Sequence, residues 1–277
     1  MFRPLLTLLV VVFLSVAQLP AALFIEPTGI DVATVIPPAP EDDSPAGLAD
    51  LETVLAIQAD RTPEQLKRVE RVANQTIFTF AQPELGPWFT AENLPVTAAF
   101  FKTITQESYA VATTGKRLWT RPRPHLRDPH VKPHPRASRS ASYPSGHSSD
   151  AATWSIILDE LYPDHRDVFA AQVREVMWCR VLGGSHYPSD TTAGRILGEA
   201  IGREMLKSPA MKIALDDVRR ELAPFAASVL PPPPPPPPPV PVVPSSVPDA
   251  AAPALAPAAA PASPPAPAPV PLGSNPR

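Results

Sequence analysis

Between residues 46 and 228 apolar residues recur at intervals of three and four, and no segment alternates polar and apolar positions long enough to make a convincing strand. Leu48, Leu51, Val54, Leu55 and Ile57 follow helical spacing. After them, Thr62-Pro63-Glu64-Gln65 reads as a helix start, with a capping threonine, a proline at the first helical position and a glutamine placed to close a capping box. The pattern predicts one helix from Pro63 to about Phe80 and another from Val96 to about Thr114. Further helices fit Gly146 to Leu161, Asp164 to Leu182, Asp190 to Leu206 and Pro209 to Leu222. An all-α fold with a single helical bundle core follows from this reading. Gly194, Gly198 and Gly202 form a G-x-x-x-G ladder on the second-last of these helices. Because Arg195, Glu199 and Arg203 interleave it, the ladder is read as close helix packing in a soluble bundle and not as a membrane dimerisation face.

Composition changes the picture at both ends. The 277 residues include 42 prolines, and 21 of them fall in the 47 residues from Pro231 to Arg277, where only Asp249 and Arg277 are charged. Such a stretch cannot bury enough surface to fold, so 229–277 is expected to be a disordered Pro/Ala-rich tail, stiffened by nine consecutive prolines in polyproline II. It reads as a stiff spacer that holds the core away from an envelope surface or partner it touches, or else as an extension with no partner. At the amino end, Arg3, the apolar run Leu5 to Leu14 and the small residues around Ser15-Val16-Ala17 predict an export signal over 1–17, with cleavage as late as residue 22. Its roughly 10 apolar residues fall short of the ~20 a membrane span needs. A periplasmic or secreted protein is expected. Residues 18–45, with prolines at 37, 38, 40 and 45, are expected to be a mobile segment leading into a folded domain over 46–228. One cysteine, Cys179, excludes an intramolecular disulfide framework, zinc fingers and iron–sulfur clusters. A net charge of −3 disfavours a nucleic-acid partner.

Three short stretches carry the candidate chemistry. Lys116-Arg117-Leu118-Trp119-Thr120-Arg121-Pro122-Arg123-Pro124 opens a region, 116–139, holding 8 of the 24 Lys and Arg residues, a density that requires an anion or abundant water. Its three histidines, His125, His130 and His134, alternate with prolines and are expected to have no carboxylate partners, which makes a weak metal signal. The second stretch, Pro144-Ser145-Gly146-His147, opens a predicted helix. A helix amino end presents unpaired N–H groups and positive partial charge, and a glycine there lets the backbone approach a ligand closely, which makes a phosphate seat with His147 beside it. The third is Arg180-Val181-Leu182-Gly183-Gly184-Ser185-His186-Tyr187-Pro188-Ser189-Asp190. Phe169, Val173, Val176 and Arg180 share one helix face, so Arg180 turns inward and needs a negative partner, either a bound anion or an internal carboxylate. Gly183 and Gly184 end that helix and Asp190 starts the next, which lets His186 and Asp190 meet.

Together these stretches resemble the signature of the type 2 phosphatidic acid phosphatase superfamily, K-x6-RP, PSGH and R-x5-H-x3-D, in the family's order. Among its branches the chain is most similar to the soluble bacterial class A non-specific acid phosphatases, over roughly residues 45 to 225. The resemblance implies an all-α core of the acid phosphatase/vanadium haloperoxidase type, and metal-independent hydrolysis of phosphomonoesters through a phosphohistidine, with no cofactor. It makes His186 the nucleophile, Asp190 the holder of its other ring nitrogen and His147 the acid for the leaving alkoxide. Lys116, Arg123, Ser145, Gly146 and Arg180 become the cage around the phosphoryl oxygens. Arg121-Pro122 duplicates the Arg-Pro dipeptide, but only Arg123 has six residues between it and Lys116. The same signature binds vanadate in haloperoxidases, which is the alternative activity. A non-catalytic envelope protein whose function lies in its tail is the other alternative. Integral lipid phosphatases of the family need several membrane spans, and no such spans are predicted here.

Overall fold

The computed structural model describes residues 24–135 and 138–233. The predicted export signal, and the tail from residue 234 onward, lie outside the described residues. Among them are ten α-helices and no strand. Along the chain these are α1 (Val32–Val35), α2 (Pro45–Ala59), α3 (Pro63–Ala73), α4 (Ile77–Leu85), α5 (Pro95–Leu118), α6 (Pro124–Arg127), α7 (Gly146–Leu161), α8 (Arg166–Leu182), α9 (Pro188–Met205) and α10 (Pro209–Leu222). No helix among the described residues is long and apolar enough to cross a membrane.

Helices α5, α7, α8 and α9 build the core. Phe101 and Ile104 of α5, Trp154, Ile157 and Leu158 of α7, Phe169 of α8, and Leu197 and Ile201 of α9 are almost fully buried. Phe80 of α4 completes the centre edge-on to Trp154, with ring centroids 5.7 Å apart. The closest approach is between α7 and α9, and the glycine ladder causes it. A Cβ at Gly194 would overlap the Ser145 carbonyl oxygen, one at Gly198 the Ser149 carbonyl oxygen, and one at Gly202 the Ile156 side chain. Thr153 Oγ1 then donates to the Gly198 carbonyl at 3.1 Å, a bond that only such proximity allows.

Several boundaries differ from the sequence reading. The helix expected over Pro63–Phe80 is two helices, interrupted at residues 74–76. Thr76 and Thr79 exchange side-chain-to-backbone hydrogen bonds in a second capping box, so the chain restarts where apolar spacing alone runs on. Helix α5 continues four residues past Thr114, which places Lys116 in its last turn. Helix α8 starts at Arg166, after a short 3-10 turn over Pro163–His165, and α9 starts at Pro188, so Asp190 lies within its first turn. Residues from 24 onward pack on the core instead of standing outside it. Ile25, Val32 and Ile36 are buried, and Glu107 of α5 accepts the backbone N–H groups of Phe24 and Ile25. The folded unit therefore begins about twenty residues earlier than residue 46.

Candidate active site

Helix ends supply this site. The carboxyl end of α5 brings Lys116, the amino end of α7 brings Ser145, Gly146 and His147, the end of α8 brings Arg180, and the start of α9 brings Asp190. Between α8 and α9, Gly184 takes a left-handed φ of 64°, which turns the chain back so that the N–H groups of Ser185 and His186 both donate to the Arg180 carbonyl at 3.2 Å. His186 is thereby fixed under the α7 terminus, 1 % exposed.

The two ring nitrogens of His186 have opposite partners. Nδ1 lies 3.3 Å from Asp190 Oδ2, and Nε2 lies 3.1 Å from an Arg123 guanidinium nitrogen. A carboxylate only accepts and a guanidinium only donates, so Nδ1 carries the hydrogen and Nε2 presents its lone pair. Asp190 is held by more than the histidine. Its Oδ2 accepts the Tyr187 N–H at 2.9 Å, and its Oδ1 accepts from Arg121 at 2.8 Å. Arg121 in turn donates to Asp50 of α2 at 2.8 Å and lies over the Tyr187 ring, 4.0 Å from its centroid. Ser189 closes the network, hydrogen-bonded to both Asp50 and Arg121.

Arg121 and Arg123 therefore divide the Arg-Pro repeat. Burial draws the Arg121 guanidinium down, but Asp190 and Asp50 outweigh it and hold the group above its usual value. Arg123 reaches only neutral partners, the carbonyls of Ser140 and Ser185 at 2.8 and 2.9 Å and the Ser140 hydroxyl, besides His186. Lys116 Nζ donates to the carbonyls of Ala141 and Pro144 at 2.9 and 2.6 Å. Arg180 is 6 % exposed, and its Nε has no partner among the described residues. No carboxylate among the described residues pairs with it. Burial, with Arg123 beside it, draws Arg180 down to about 10, and the same two causes draw Lys116 down to about 8. Three cations thus share one small volume with no carboxylate in ion-pair contact among the described residues, an arrangement whose charge an anion would match.

His147 and His186 are both neutral in this field. Burial first, then Arg180, push His147 down to about 3, while burial and Arg123 push His186 well below its ordinary value. His147 Nε2 lies 3.2 Å from the Ala73 carbonyl, an acceptor, so Nε2 carries the hydrogen and Nδ1 is the ring nitrogen left to take up a proton. Burial raises Asp190 to about 6, opposed by Arg121 and the Tyr187 N–H. At the α7 terminus, Ser145 Oγ accepts from Ser148, and the Ser145 N–H donates to the Asp190 carbonyl at 3.0 Å. A Cβ at Gly146 would meet nothing nearer than Tyr109 at 3.9 Å, so the space above that terminus is open to a ligand.

All eight residues singled out in the sequence converge here. Four contributors carry no local sequence signal: Asp50, about seventy residues before its partner, Ser140, Gln75, whose side chain donates to the His147 carbonyl at 3.0 Å, and Asp150, whose charge opposes the lowering of Lys116. Arg121 was visible as the duplicated Arg-Pro dipeptide, though not its role. Of the three proline-flanked histidines, His130 pairs with Asp128 and His134 with Glu70, and no group of three metal-ligating side chains occurs among the described residues. Cys179 is fully buried against Glu175, and burial pushes its thiol up to about 12.

Comparison with known proteins shows what the segment holding this constellation is similar to. Residues 96–214 match the family model described as PAP2 superfamily. A non-specific acid phosphatase of Salmonella typhimurium is 27% identical over 195 residues, covering 68% of this chain and 78% of that protein. A non-specific acid phosphatase of Providencia stuartii is 24% identical over 203 residues, 70% of this chain and 82% of its own length. Among solved structures, a bacterial vanadium-dependent iodoperoxidase is 18% identical with a TM-score of 0.47; the match covers 62% of this chain but only about half, 51%, of that one. The segment matched by the family model contains the His186 site from Lys116 to Asp190, and over that segment the chain is similar to the PAP2 superfamily.

Proposed function

We propose that the protein is an acid phosphatase that hydrolyses phosphomonoesters through a covalent phosphohistidine at His186, exported to the periplasm or beyond. The observation that carries this reading is the trio of cations without carboxylate partners, Lys116, Arg123 and Arg180, around a histidine whose Nε2 turns its lone pair toward the Arg123 guanidinium. The acid phosphatase relatives support the same class of reaction.

The chemistry follows from the donors. A phosphoryl group seated on the α7 amino end has its three non-bridging oxygens among Lys116, Arg123, Arg180 and the N–H groups around Gly146. Charge that spreads over these oxygens in the transition state meets fixed cations and dipoles, so stabilisation requires no reorganisation. The Nε2 lone pair of His186 attacks phosphorus, and the bond from phosphorus to the ester oxygen breaks. Protonated His147 gives its proton to the departing oxygen, and Asp190 stabilises the positive imidazole ring that the attack creates. Water then attacks the phosphohistidine, His147 recovers a proton from it, and phosphate leaves with Nε2 restored. An empty cage holds His147 neutral, but the bound phosphoryl group offsets the repulsion from Arg180, Arg123 and Lys116 that helps depress it. Substrate therefore loads its own acid, and an acidic optimum follows.

The direct test is turnover of a phosphomonoester by the purified protein with a chelator present. His186→Ala is expected to lower kcat by on the order of 10³ or more. Activity that survives this substitution, or that disappears with the chelator, would sink the proposal.

A further inference from the structure

Asp50 has no part in the phosphoryl chemistry above, yet it is bonded into the group that holds the nucleophile. It stands on α2, outside the 96–214 segment that matches the family model. Its Oδ2 accepts from one terminal nitrogen of Arg121 at 2.8 Å, and the other terminal nitrogen donates to Asp190 Oδ1, also at 2.8 Å. All three side chains are less than a tenth exposed. A row of carboxylate, guanidinium and carboxylate carries two negative charges and one positive, so one negative charge is left over. That surplus meets the nucleophile at Asp190 Oδ2, which accepts the Tyr187 N–H and lies 3.3 Å from Nδ1 of His186. Burial raises Asp190 and Arg121 opposes the rise, while Asp50 adds to it, so the charge on Asp50 is felt at Asp190.

Helix α2 does not depend on Asp50 for its place. Val54 of the same helix is 1 % exposed and packs with Val131, Val181 and Tyr187, Arg127 donates to the Gly47 carbonyl at 2.8 Å, and Gln58 donates to the His130 carbonyl at 3.0 Å. We infer that Asp50 is a positioning residue for phosphoryl transfer: through Arg121 it leaves Asp190 a full negative charge for the His186 ring, which becomes positive when Nε2 bonds phosphorus. The inference rests on the phosphatase reading and adds to it a residue that no local motif marks. With Asp50 neutral, Arg121 matches Asp190 alone, and the positive ring faces a neutral pair. Formation of the phosphohistidine then slows, because the ring gains its charge in that step. Its hydrolysis does not, because the ring gives that charge up as the bond from phosphorus to Nε2 breaks. Among the described residues Asp50 bonds only Arg121 and Ser189, so Lys116, Arg123 and Arg180 lose no partner when its charge is removed.

The test compares the full chain with Asp50→Asn, which keeps the shape of the side chain and removes its charge. Single-turnover phosphorylation by an aryl phosphate is expected to slow about tenfold, the middle of the range for groups coupled in one hydrogen-bonded network. The fraction of protein phosphorylated at steady state is expected to fall with it. Calorimetry is expected to show inorganic phosphate bound equally or more tightly, and orthovanadate, which takes a histidine nitrogen as its fifth ligand, bound more weakly by a factor close to the kinetic one. Asp50→Ser, neutral but different in shape, is expected to match Asp50→Asn, and gives the same reading if the amide does not fold. Phosphorylation within twofold of the parent overturns the inference, and so does a parallel loss of phosphate and vanadate affinity, which makes Asp50 a structural support only. A parent chain that turns over no phosphomonoester overturns the phosphatase reading instead. The ratio of vanadate to phosphate affinity needs no turnover and then decides the inference alone: lowered in the variants, it retains the action of Asp50 on His186, and unchanged, it overturns it.

Discussion

Arg121 and Arg123 are two residues apart in an Arg-Pro repeat, yet one is clamped by two carboxylates and the other by none. Opposite stability effects follow. Removing Arg121 leaves Asp50 and Asp190 buried without their cation, and breaking a buried pair from one side costs about 3–5 kcal/mol. Arg180 is the reverse case, an unmatched buried cation repelled by Arg123, so removing it relieves the unliganded protein. Arg121→Met is therefore expected to lower the Tm by many degrees, whereas Arg180→Met leaves the Tm equal or higher while activity disappears; thermal melts in phosphate-free buffer decide this. A lower Tm for Arg180→Met would mean that its charge is matched in the free protein. The motif spacing made Lys116, Arg123, Arg180 and the two histidines legible, because a K-x6-RP or R-x5-H-x3-D pattern is local. It could not reveal Asp50, whose pairing with Arg121 depends on how α2 crosses the start of α9.

At the level of elements, the glycine ladder was readable because three glycines at four-residue spacing on a charged helix demand a close neighbour. Which helix they met was not readable, and the answer ties packing to the site: Gly194 lies against the backbone of Ser145, the residue that opens α7. An alanine gains roughly 1 kcal/mol of helix propensity over glycine, but at Gly198 its Cβ would overlap the rigid Ser149 carbonyl, and overpacking costs about 1–3 kcal/mol. The clash is expected to win, so Gly198→Ala should lower stability in denaturant titration. Gly146→Ala is the contrast, since its Cβ enters open space: the melt should stay close to the parent and phosphate affinity should fall. A stabilised Gly198→Ala would show that the two helices separate at little cost. The break between α3 and α4 was missed because Thr76 caps through its side chain, a signal that the apolar spacing across Val72 and Phe80 overrides in a sequence scan. That break places Gln75 over His147.

Across the whole molecule, the all-α architecture was legible and the electrostatic arrangement was not, because it arises where four helix ends meet. A site kept cationic while empty makes the fold depend on its ligand. Phosphate at about one hundred times its Kd adds roughly 2.7 kcal/mol, and at ~2–4 °C per kcal/mol for a domain of this size the Tm should rise by about 5–10 °C. His147 adds a pH term. Its folded value of about 3 lies below the ordinary 6.5, so it contributes stability that is present above pH 6.5 and lost progressively as the pH falls toward 3. Phosphate raises the folded value and so restores part of that loss, and the Tm gain from phosphate should be larger at pH 5 than at pH 8. An equal gain at both would separate His147 from the anion. The central claim concerns one bond, between phosphorus and Nε2 of His186, and the most direct measurement is to mix the protein with a radiolabelled aryl phosphate, quench in alkali within milliseconds and map the label. The account predicts label on the peptide containing His186, lost in His186→Ala and chased off by unlabelled substrate; hydrolysis that proceeds with no protein-bound label, or with label on another residue, would contradict it.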